Sequence, residues 1–335
     1  MKQYLQKLLD EKDLSQAESQ AVFDSIMSGE ATPAQIAAFI IALRMKGETA
    51  EEIAGGACSM RRHAVFVDAH GLNVIDTCGT GGDSSGTFNV STTSAFVVAG
   101  AGIPVAKHGN RAISSKCGSA DLLAQLGVNI EALPEVMEEC IREAGFGFLF
   151  APKLHPAMKH AMGPRKELGV RTIFNMLGPL TNPSGAKAQI IGVFAPELTE
   201  TFAKVLKLLG SRHAFIVHGK DGMDEITTTT ATRVSELKDG AIKTYEFDPL
   251  PFIGEFADLE QIKGGDAAMN ADITRKILAG EKSPCRDIVC LNAAAAIIAG
   301  GKAKDMAEGW KLAQQSIDAG NARTVLSRLV EISNS

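Results

Sequence analysis

Residues 76–95 read DTCGTGGDSSGTFNVSTTSA, and the rest of the chain is arranged around this stretch. The apolar pair at 74–75 is typical of a buried strand, and the apolar run at 95–99 is typical of a helix. Between them lie glycines, which have no Cβ and let backbone N–H groups approach a ligand closely. These glycines are Gly79, Gly81, Gly82 and Gly86. The order of strand, glycine loop and helix predicts a turn that binds an anion.

The polar residues around the glycines support this prediction. Asn89, Ser91 and Thr92 fall where the helix is expected to begin, and free N–H groups at a helix start favour phosphate. An ordinary glycine-rich connection with a Ser or Thr helix cap is the alternative, and Asp83 within the loop argues against it. The stretch has neither the Lys-Ser/Thr ending of a P-loop nor the dinucleotide-binding spacing. A different phosphate-containing ligand is therefore predicted.

Composition restricts the class of protein. The chain has 335 residues, 45% hydrophobic and 22% charged, which is typical of a globular protein with one or two domains. Its net charge of −5 argues against nucleic-acid binding. No apolar run approaches the roughly 20 residues that span a bilayer, and the N-terminus is unlike a signal peptide. We predict a cytoplasmic protein with reduced cysteines that binds neither membrane nor nucleic acid.

Residues 1–71 are predicted to form a small helical domain. Ser15 with Glu18 has the spacing of a capping box, and Thr32 precedes a proline suited to a first helical turn. Three or four short helices bury little apolar surface alone, so this unit is expected to pack on a partner chain or on the rest of the molecule. A single large core is the alternative.

Residues 72–335 are predicted to form an α/β domain. Strand-like apolar runs alternate with helical patterns, which indicates a mainly parallel sheet with helices on its faces. Asp239 and Gly240 predict a hairpin turn within 233–247, and residues 271–335 have a helical pattern. Strands are expected at 74–75, 103–106, 146–150, 190–194 and 214–217, and helices near 120–126, 134–144 and 198–209.

A second polar turn follows the strand expected at 103–106. Lys107 and Asn110 come directly after this strand, and Ser115 and Ser119 open the next helix. Charged residues in such a place are often only solvated. Two donor-rich turns side by side nevertheless suit a ligand with two separate phosphate groups.

The acidic pair Asp224 and Glu225 predicts a magnesium site. Neighbouring residues in extended chain point to opposite sides, so the two carboxylates suit two neighbouring cations better than one. Magnesium prefers a few carboxylates together with phosphate oxygens and water, and the Ser91 hydroxyl can complete such a site. Solvated acids on a loop are the alternative.

Arg165 lies in the segment HPAMKHAMGPRKELG, and its planar guanidinium matches a carboxylate in a bidentate geometry. His160 in the same segment is interpreted as a residue of a helix surface. No spacing indicates a Ser-His-Asp or Cys-His arrangement. We therefore expect a site that orients its reactants and stabilises a leaving phosphate, with no covalent nucleophile and no obligate general base.

Five motifs, in order, resemble the anthranilate phosphoribosyltransferase family. They are DTCGTGGD, NVST, KHGNRAISSKCGSAD, GPRKELGVRTIFNMLGPLTNP and the acidic pair before TTTT. The resemblance covers nearly the whole chain. It implies transfer of the 5-phosphoribosyl group of phosphoribosyl pyrophosphate (PRPP) to the amine of anthranilate, in tryptophan biosynthesis. It also implies the fold of pyrimidine nucleoside phosphorylases, with a segment near 165–187 returning to the helical domain, and a homodimer formed through that domain.

The resemblance further implies which residues bind each ligand. PRPP would be bound by Gly79, Gly82, Asp83, Thr87, Asn89, Val90, Ser91, Thr92, Lys107, Ser115 and Ser119. Anthranilate would be bound by Gly79, Asn110 and Arg165. Magnesium, as two ions, would be bound by Ser91, Asp224 and Glu225.

Two other functions are weighed against this one. A pyrimidine nucleoside phosphorylase would share the fold, but the acidic pair and Arg165 favour the transferase. A catalytically inactive relative that binds nucleic acid is opposed by the negative net charge and by the intact motifs.

Overall fold

The computed structural model describes residues 1–83, 85–112 and 116–335. The helices of this part of the chain are α1 (Lys2–Leu9), α2 (Gln16–Met27), α3 (Pro33–Lys46), α4 (Ala50–Arg62), α5 (Val90–Gly100), α6 (Ser119–Gln125), α7 (Pro134–Glu139), α8 (Ala151–Leu154), α9 (Lys159–Leu168), α10 (Phe174–Leu177), α11 (Leu198–Leu208), α12 (Leu250–Ile253), α13 (Ala267–Leu278), α14 (Pro284–Ala299), α15 (Met306–Asp318) and α16 (Asn321–Ser333). The strands are β1 (Ile75–Gly79), β2 (Val105–Gly109), β3 (Phe146–Phe150), β4 (Ala188–Gly192), β5 (His213–Gly219), β6 (Thr232–Lys238) and β7 (Ala241–Phe247). None of these helices is both long and apolar enough to cross a membrane.

The strands form one sheet in the order β3-β2-β1-β4-β5-β6-β7. The first five strands of this order are parallel, and β6 and β7 are antiparallel additions at one edge. The predicted mainly parallel sheet is confirmed. After β3 the chain resumes at β4 on the other side of β1, so the direction of winding reverses between β1 and β4. Ligands of such sheets bind at this point, beyond the carboxyl ends of the two strands.

Two strands extend further than the sequence indicated. β1 continues to Gly79 rather than ending at 75, and β2 continues to Gly109 rather than ending at 106. Each strand has a parallel neighbour on both sides, so backbone hydrogen bonds, rather than the apolar pattern, set where it ends. The prediction that Lys107 follows its strand is therefore wrong. Lys107 lies within β2, where it is buried.

The N-terminal helices begin where their capping residues predict. Ser15, Thr32 and Thr49 each form a capping box at the start of α2, α3 and α4. The apolar faces of these helices form one cluster with α10, α11 and one face of β4 and β5. A second cluster fills the other face of the sheet with α5, α14 and α16. The helical bundle therefore packs on the larger α/β part, and the buried residues form two clusters rather than one.

The hairpin at the edge of the sheet confirms another local prediction. Asp239 and Gly240 join β6 to β7 with φ values of 49° and 82°. Two consecutive residues with positive φ are the signature of a type I′ turn, which matches the twist of the strands beside it.

Candidate active site

The loop between β5 and β6 brings the acidic pair to the glycine turn. The Gly81 N–H donates to Asp224 Oδ2 at 2.9 Å, and the Ser91 N–H donates to Glu225 Oε1 at 3.1 Å. The two carboxylates therefore bind opposite ends of the stretch that follows β1. Motifs that are far apart in the sequence form a single cleft.

Two glycines make room for this approach. A Cβ on Gly79 would lie 2.7 Å from Asp224 Oδ2, and a Cβ on Gly192 would lie 1.5 Å from the carbonyl oxygen of Asp224. The collision at Gly192 is with backbone, so β4 has to end in glycine, whereas the close atom at Gly79 is the tip of the Asp224 side chain. The sequence pattern indicates Gly79 but not Gly192, because a single glycine at the end of a strand has no distinctive spacing.

Lys107 joins β2 to β1 and to the start of α5. Its side chain is only 2% exposed, and its Nζ donates to the carbonyl oxygen of Thr77 and, at 3.3 Å, to Ser91 Oγ. Burial lowers the pKa of this ammonium group, while the nearby carboxylates of Asp76 and Glu225 raise it. Ser91 thus contacts both Lys107 and Glu225, which places the lysine and the acidic pair on the same helix start.

The acidic residues of the cleft disfavour each other's charge. Burial raises the pKa of Asp224, and the nearby carboxylate of Asp83 raises it further. Burial also raises the pKa of Glu225, and the charge of Asp224 adds to the effect. Three close carboxylates cannot all ionise without a compensating positive charge.

The side-chain oxygens of the cleft fit a magnesium ion. Carboxylate and hydroxyl oxygens are the ligands that Mg²⁺ prefers, and a divalent cation would compensate the charge of Asp83, Asp224 and Glu225. The described residues contain no group of three His, Cys, Asp or Glu side chains placed to hold a metal by themselves. Substrate oxygens and water would therefore have to complete the coordination.

The second predicted turn is closed by Asp121. Its carboxylate accepts hydrogen bonds at 2.9 Å from the N–H groups of Ala112 and Gly118, and Ser119 Oγ donates to the carbonyl oxygen of Asn110 at 3.1 Å. Ser119 is the first residue of α6. The predicted ligand-binding residue Ser115 lies outside the described residues.

Asn89 connects the two turns. Its Nδ2 donates to the carbonyl oxygen of Cys117 at 3.0 Å, and Asn270 Nδ2 donates to Asn89 Oδ1 at 2.9 Å. The side chain of Asn89 is thus bonded within the protein, and it links the first turn to the second turn and to α13. Asn270 lies on α13, where the sequence showed only a helical pattern, so its role was missed.

The other predicted residues of the first turn lie at the end of the loop and in the first turn of α5. Thr87 Oγ1 is 3.2 Å from Ser85 Oγ. Val90 is the first residue of α5, and Thr92, in the first turn of this helix, is buried. This confirms that the helix begins directly after Asn89, and the Ser91 N–H of its first turn reaches the acidic pair.

Arg165 and Asn110 lie on separate elements. Arg165 is in α9, and its guanidinium carbon lies 5.0 Å from the ring centroid of Phe174. Burial lowers the pKa of this guanidinium, and no carboxylate of the described residues pairs with it. Asn110 directly follows β2, and its Oδ1 accepts the N–H of Arg111 at 2.7 Å. A partly buried arginine without an acidic partner is available for the carboxylate of a ligand.

Two buried histidines, one on β2 and one just after α8, lie side by side. The rings of His108 and His155 are 5.0 Å apart, and both side chains are buried. Burial lowers the pKa of His108 to about 3 and that of His155 to about 4. Both are therefore neutral near pH 7. His160, in contrast, is half-buried on α9.

The histidine pair predicts a loss of stability in acid. Both histidines have a pKa in the folded state below the usual 6.5, so the unfolded chain binds more protons than the folded protein as the pH falls. The folded state therefore loses stability as the pH falls from about 6.5 toward 4. We expect His155→Gln to flatten this decline, measured by urea unfolding at a series of pH values. His70→Asn, on an exposed residue, is the control and should keep the decline of the wild type. An unchanged slope in His155→Gln would contradict the prediction.

Comparison with known proteins identifies the family. The helical bundle domain of the glycosyl transferase family matches residues 2–64, and the a/b domain matches residues 71–323. The anthranilate phosphoribosyltransferase of Desulfosudis oleivorans is 58% identical over 334 residues, which are 99% of this chain and 98% of that protein. The crystal structure of anthranilate phosphoribosyltransferase from Thermus thermophilus matches with a TM-score of 0.93 and 44% identity, covering 99% of each chain. The enzyme from Saccharomyces cerevisiae in complex with PRPP and Mg matches with a TM-score of 0.90 and 31% identity, covering 99% of this chain and 97% of that chain. The chain therefore belongs to the anthranilate phosphoribosyltransferase family, which transfers the 5-phosphoribosyl group of PRPP to the amine of anthranilate.

Proposed function

We propose that the cleft between β1, β4 and the acidic loop is the place where this transfer occurs. The observation that carries the proposal is that Ser91 contacts both Lys107 and Glu225, so the glycine turn, the buried lysine and the acidic pair share one cleft. Backbone N–H groups and a lysine suit the phosphates of PRPP. The proposed PRPP-binding residues are Gly79, Gly82, Asp83, Thr87, Asn89, Val90, Ser91, Thr92, Lys107, Ser115 and Ser119.

Magnesium is the proposed cofactor, bound as two ions by Ser91, Asp224 and Glu225. The mutual repulsion of the carboxylates supports this assignment, and so does the yeast relative in complex with PRPP and Mg. Bound there, magnesium would neutralise the charge that develops on the departing pyrophosphate. The chain itself holds the carboxylates in place through Gly81 and Ser91.

Anthranilate is proposed to bind between Arg165, Asn110 and Gly79. The guanidinium of Arg165 would pair with the anthranilate carboxylate and aim the amine at C1 of the ribose. An aniline-type amine is already neutral near pH 7, so it needs no strong base to become a nucleophile. The amine forms the new C–N bond as the C–O bond to pyrophosphate breaks, and its proton goes to water.

An assay of the products tests the function. With anthranilate and PRPP, the protein should release pyrophosphate and form N-(5-phosphoribosyl)anthranilate. With a pyrimidine nucleoside and free phosphate, it should release no base. The opposite pattern would favour the nucleoside phosphorylase alternative.

Arg165→Ala is expected to weaken anthranilate binding selectively. Loss of a charge-assisted hydrogen bond should raise the KM for anthranilate about 10- to 100-fold and leave the KM for PRPP nearly unchanged. Steady-state kinetics with each substrate varied in turn measure both constants. Lys166→Ala removes the next, exposed cation of the same helix and should change neither constant. Equal increases of both constants in Arg165→Ala would reject the role.

We also propose a homodimer formed through the helical domain, in the cytoplasm. Leu9 and Met45 support this interface, since they are 69% and 83% exposed on the N-terminal helices. The proposed domains comprise residues 1–71, with the returning segment near 165–187, and residues 72–335. Phe174 of the returning segment supports this division, because its ring lies 5.6 Å from that of Phe23 in α2. Light scattering on the purified protein would measure the oligomeric state.

A further inference from the structure

Arg171 lies between α9 and α10, within the motif GPRKELGVRTIFNMLGPLTNP, where the sequence suggested no role for it. Its Nη2 donates a hydrogen bond to the carbonyl oxygen of Gly82 at 2.6 Å. Gly82 is a central residue of the glycine turn and has a φ of +79°. An arginine of the returning segment thus reaches the turn proposed to bind PRPP.

An aromatic ring holds this arginine in place. The guanidinium carbon of Arg171 lies 4.3 Å from the ring centroid of Phe194, just after β4. The N–H of Phe194 donates to Thr80 Oγ1 at 3.1 Å, so the ring is tied to the same turn. A planar guanidinium stacks on an aromatic face, which limits its orientations although the residue is exposed.

The contact determines which way one peptide group faces. In a trans peptide the carbonyl oxygen and the N–H of the next residue point in opposite directions. Because Arg171 binds the Gly82 carbonyl oxygen, the Asp83 N–H points away from Arg171. Within the described residues this N–H has no hydrogen-bond acceptor. On the other side of Gly82, the Gly81 N–H is bound by Asp224, so the turn is fixed from both ends.

We propose that Arg171 is a positioning residue that orients the Gly82–Asp83 peptide so that its N–H can donate to an oxygen of PRPP. Glycine at position 82 permits many backbone conformations, so an external bond is needed to keep one of them. In this role Arg171 would act through the peptide and touch neither substrate itself. The inference rests on the proposed function, because it takes PRPP as the ligand of this turn.

Variants of Arg171 test the proposal. Arg171→Ala should weaken PRPP binding about 10-fold or more, since a charge-assisted hydrogen bond is lost, while the KM for anthranilate changes less than about twofold. Arg171→Lys should restore part of the affinity, because one donor remains without the planar stack. PRPP binding is measured by calorimetry with magnesium, and both KM values by steady-state kinetics. The control is Arg328→Ala. Arg328 is a half-exposed arginine on the distant helix α16, where it pairs with Glu143 at 3.6 Å.

A second variant separates positioning from general stability. Phe194→Leu should weaken PRPP binding less than Arg171→Ala, and the double variant should be no weaker than Arg171→Ala alone, because both act through the same guanidinium. Equal losses for both substrates together with a lower melting temperature would show only a structural role and overturn the proposal. If the wild type is active and Arg171→Ala binds PRPP as tightly as the wild type does, the proposal is also overturned. A wild type that makes no product from anthranilate and PRPP would instead reject the proposed function.

Discussion

The double variant Asp224→Asn with Glu225→Gln is expected to lose at least about 100-fold in turnover and to lose its magnesium dependence. The amides keep the size of both side chains but remove the charge that would bind the cation. The two carboxylates have raised pKa values because they are buried and face each other and Asp83. Their ionised forms therefore oppose folding, since the folded state binds protons that the unfolded chain releases as the pH rises.

The unfavourable effect of these charges on folding distinguishes a functional role of the acidic pair from a structural one. If the acidic pair serves catalysis, the double variant should be at least as stable as the wild type near pH 7 while it is nearly inactive. Turnover is measured across a magnesium titration, and stability by thermal unfolding without magnesium. The matched control is Glu197→Gln with Glu200→Gln, which removes the same charge from exposed positions at the start of α11. A magnesium titration like that of the wild type would argue against the assignment.

Gly192→Ala is expected to lower turnover about 100-fold, although residue 192 has no side chain to contact a ligand. The new Cβ would lie 1.5 Å from the carbonyl oxygen of Asp224, so the acidic loop has to move away from β4. A displacement of about 1 Å at reacting groups is enough for a loss of this size. The apparent affinity for magnesium should fall together with turnover, because Asp224 and Glu225 move together.

The comparison variant for this prediction is Gly163→Ala. A Cβ on Gly163 would meet nothing within 4 Å, so the same chemical change is made without a collision. Its turnover and magnesium titration should match those of the wild type. Some loss of stability, about 1–3 kcal/mol, is expected in Gly192→Ala from overpacking and is measured by thermal unfolding. Normal turnover in Gly192→Ala would mean that the position of the acidic loop is unimportant for the reaction.

Features formed by neighbouring residues could be predicted without coordinates. Ser15 and Thr32 start their helices because a side chain bonds a backbone N–H three residues later. Asp239 and Gly240 form the hairpin turn because both accept positive φ. In each case the interacting groups lie within a few residues of each other, so the pattern contains the whole interaction.

The contacts across the cleft are of another kind. Gly81 and Asp224 are 143 residues apart, and they meet because β1, β4 and β5 are neighbours in the sheet. No spacing in the chain indicates which strands will be neighbours, so the requirement for Gly192 and the contact of Arg171 with Gly82 could not be foreseen.

Local patterns are enough to establish the helical start of the chain, the alternation that produces a mainly parallel sheet, and the residue types of the site. The burial of Lys107 within β2 and the position of Asp224 against the end of β4 depend on the assembled sheet. The physical reason is that an isolated buried lysine is unfavourable, so a sequence pattern predicts exposure. Its burial depends on the Thr77 carbonyl oxygen and the Ser91 hydroxyl, which only the folded sheet brings within reach.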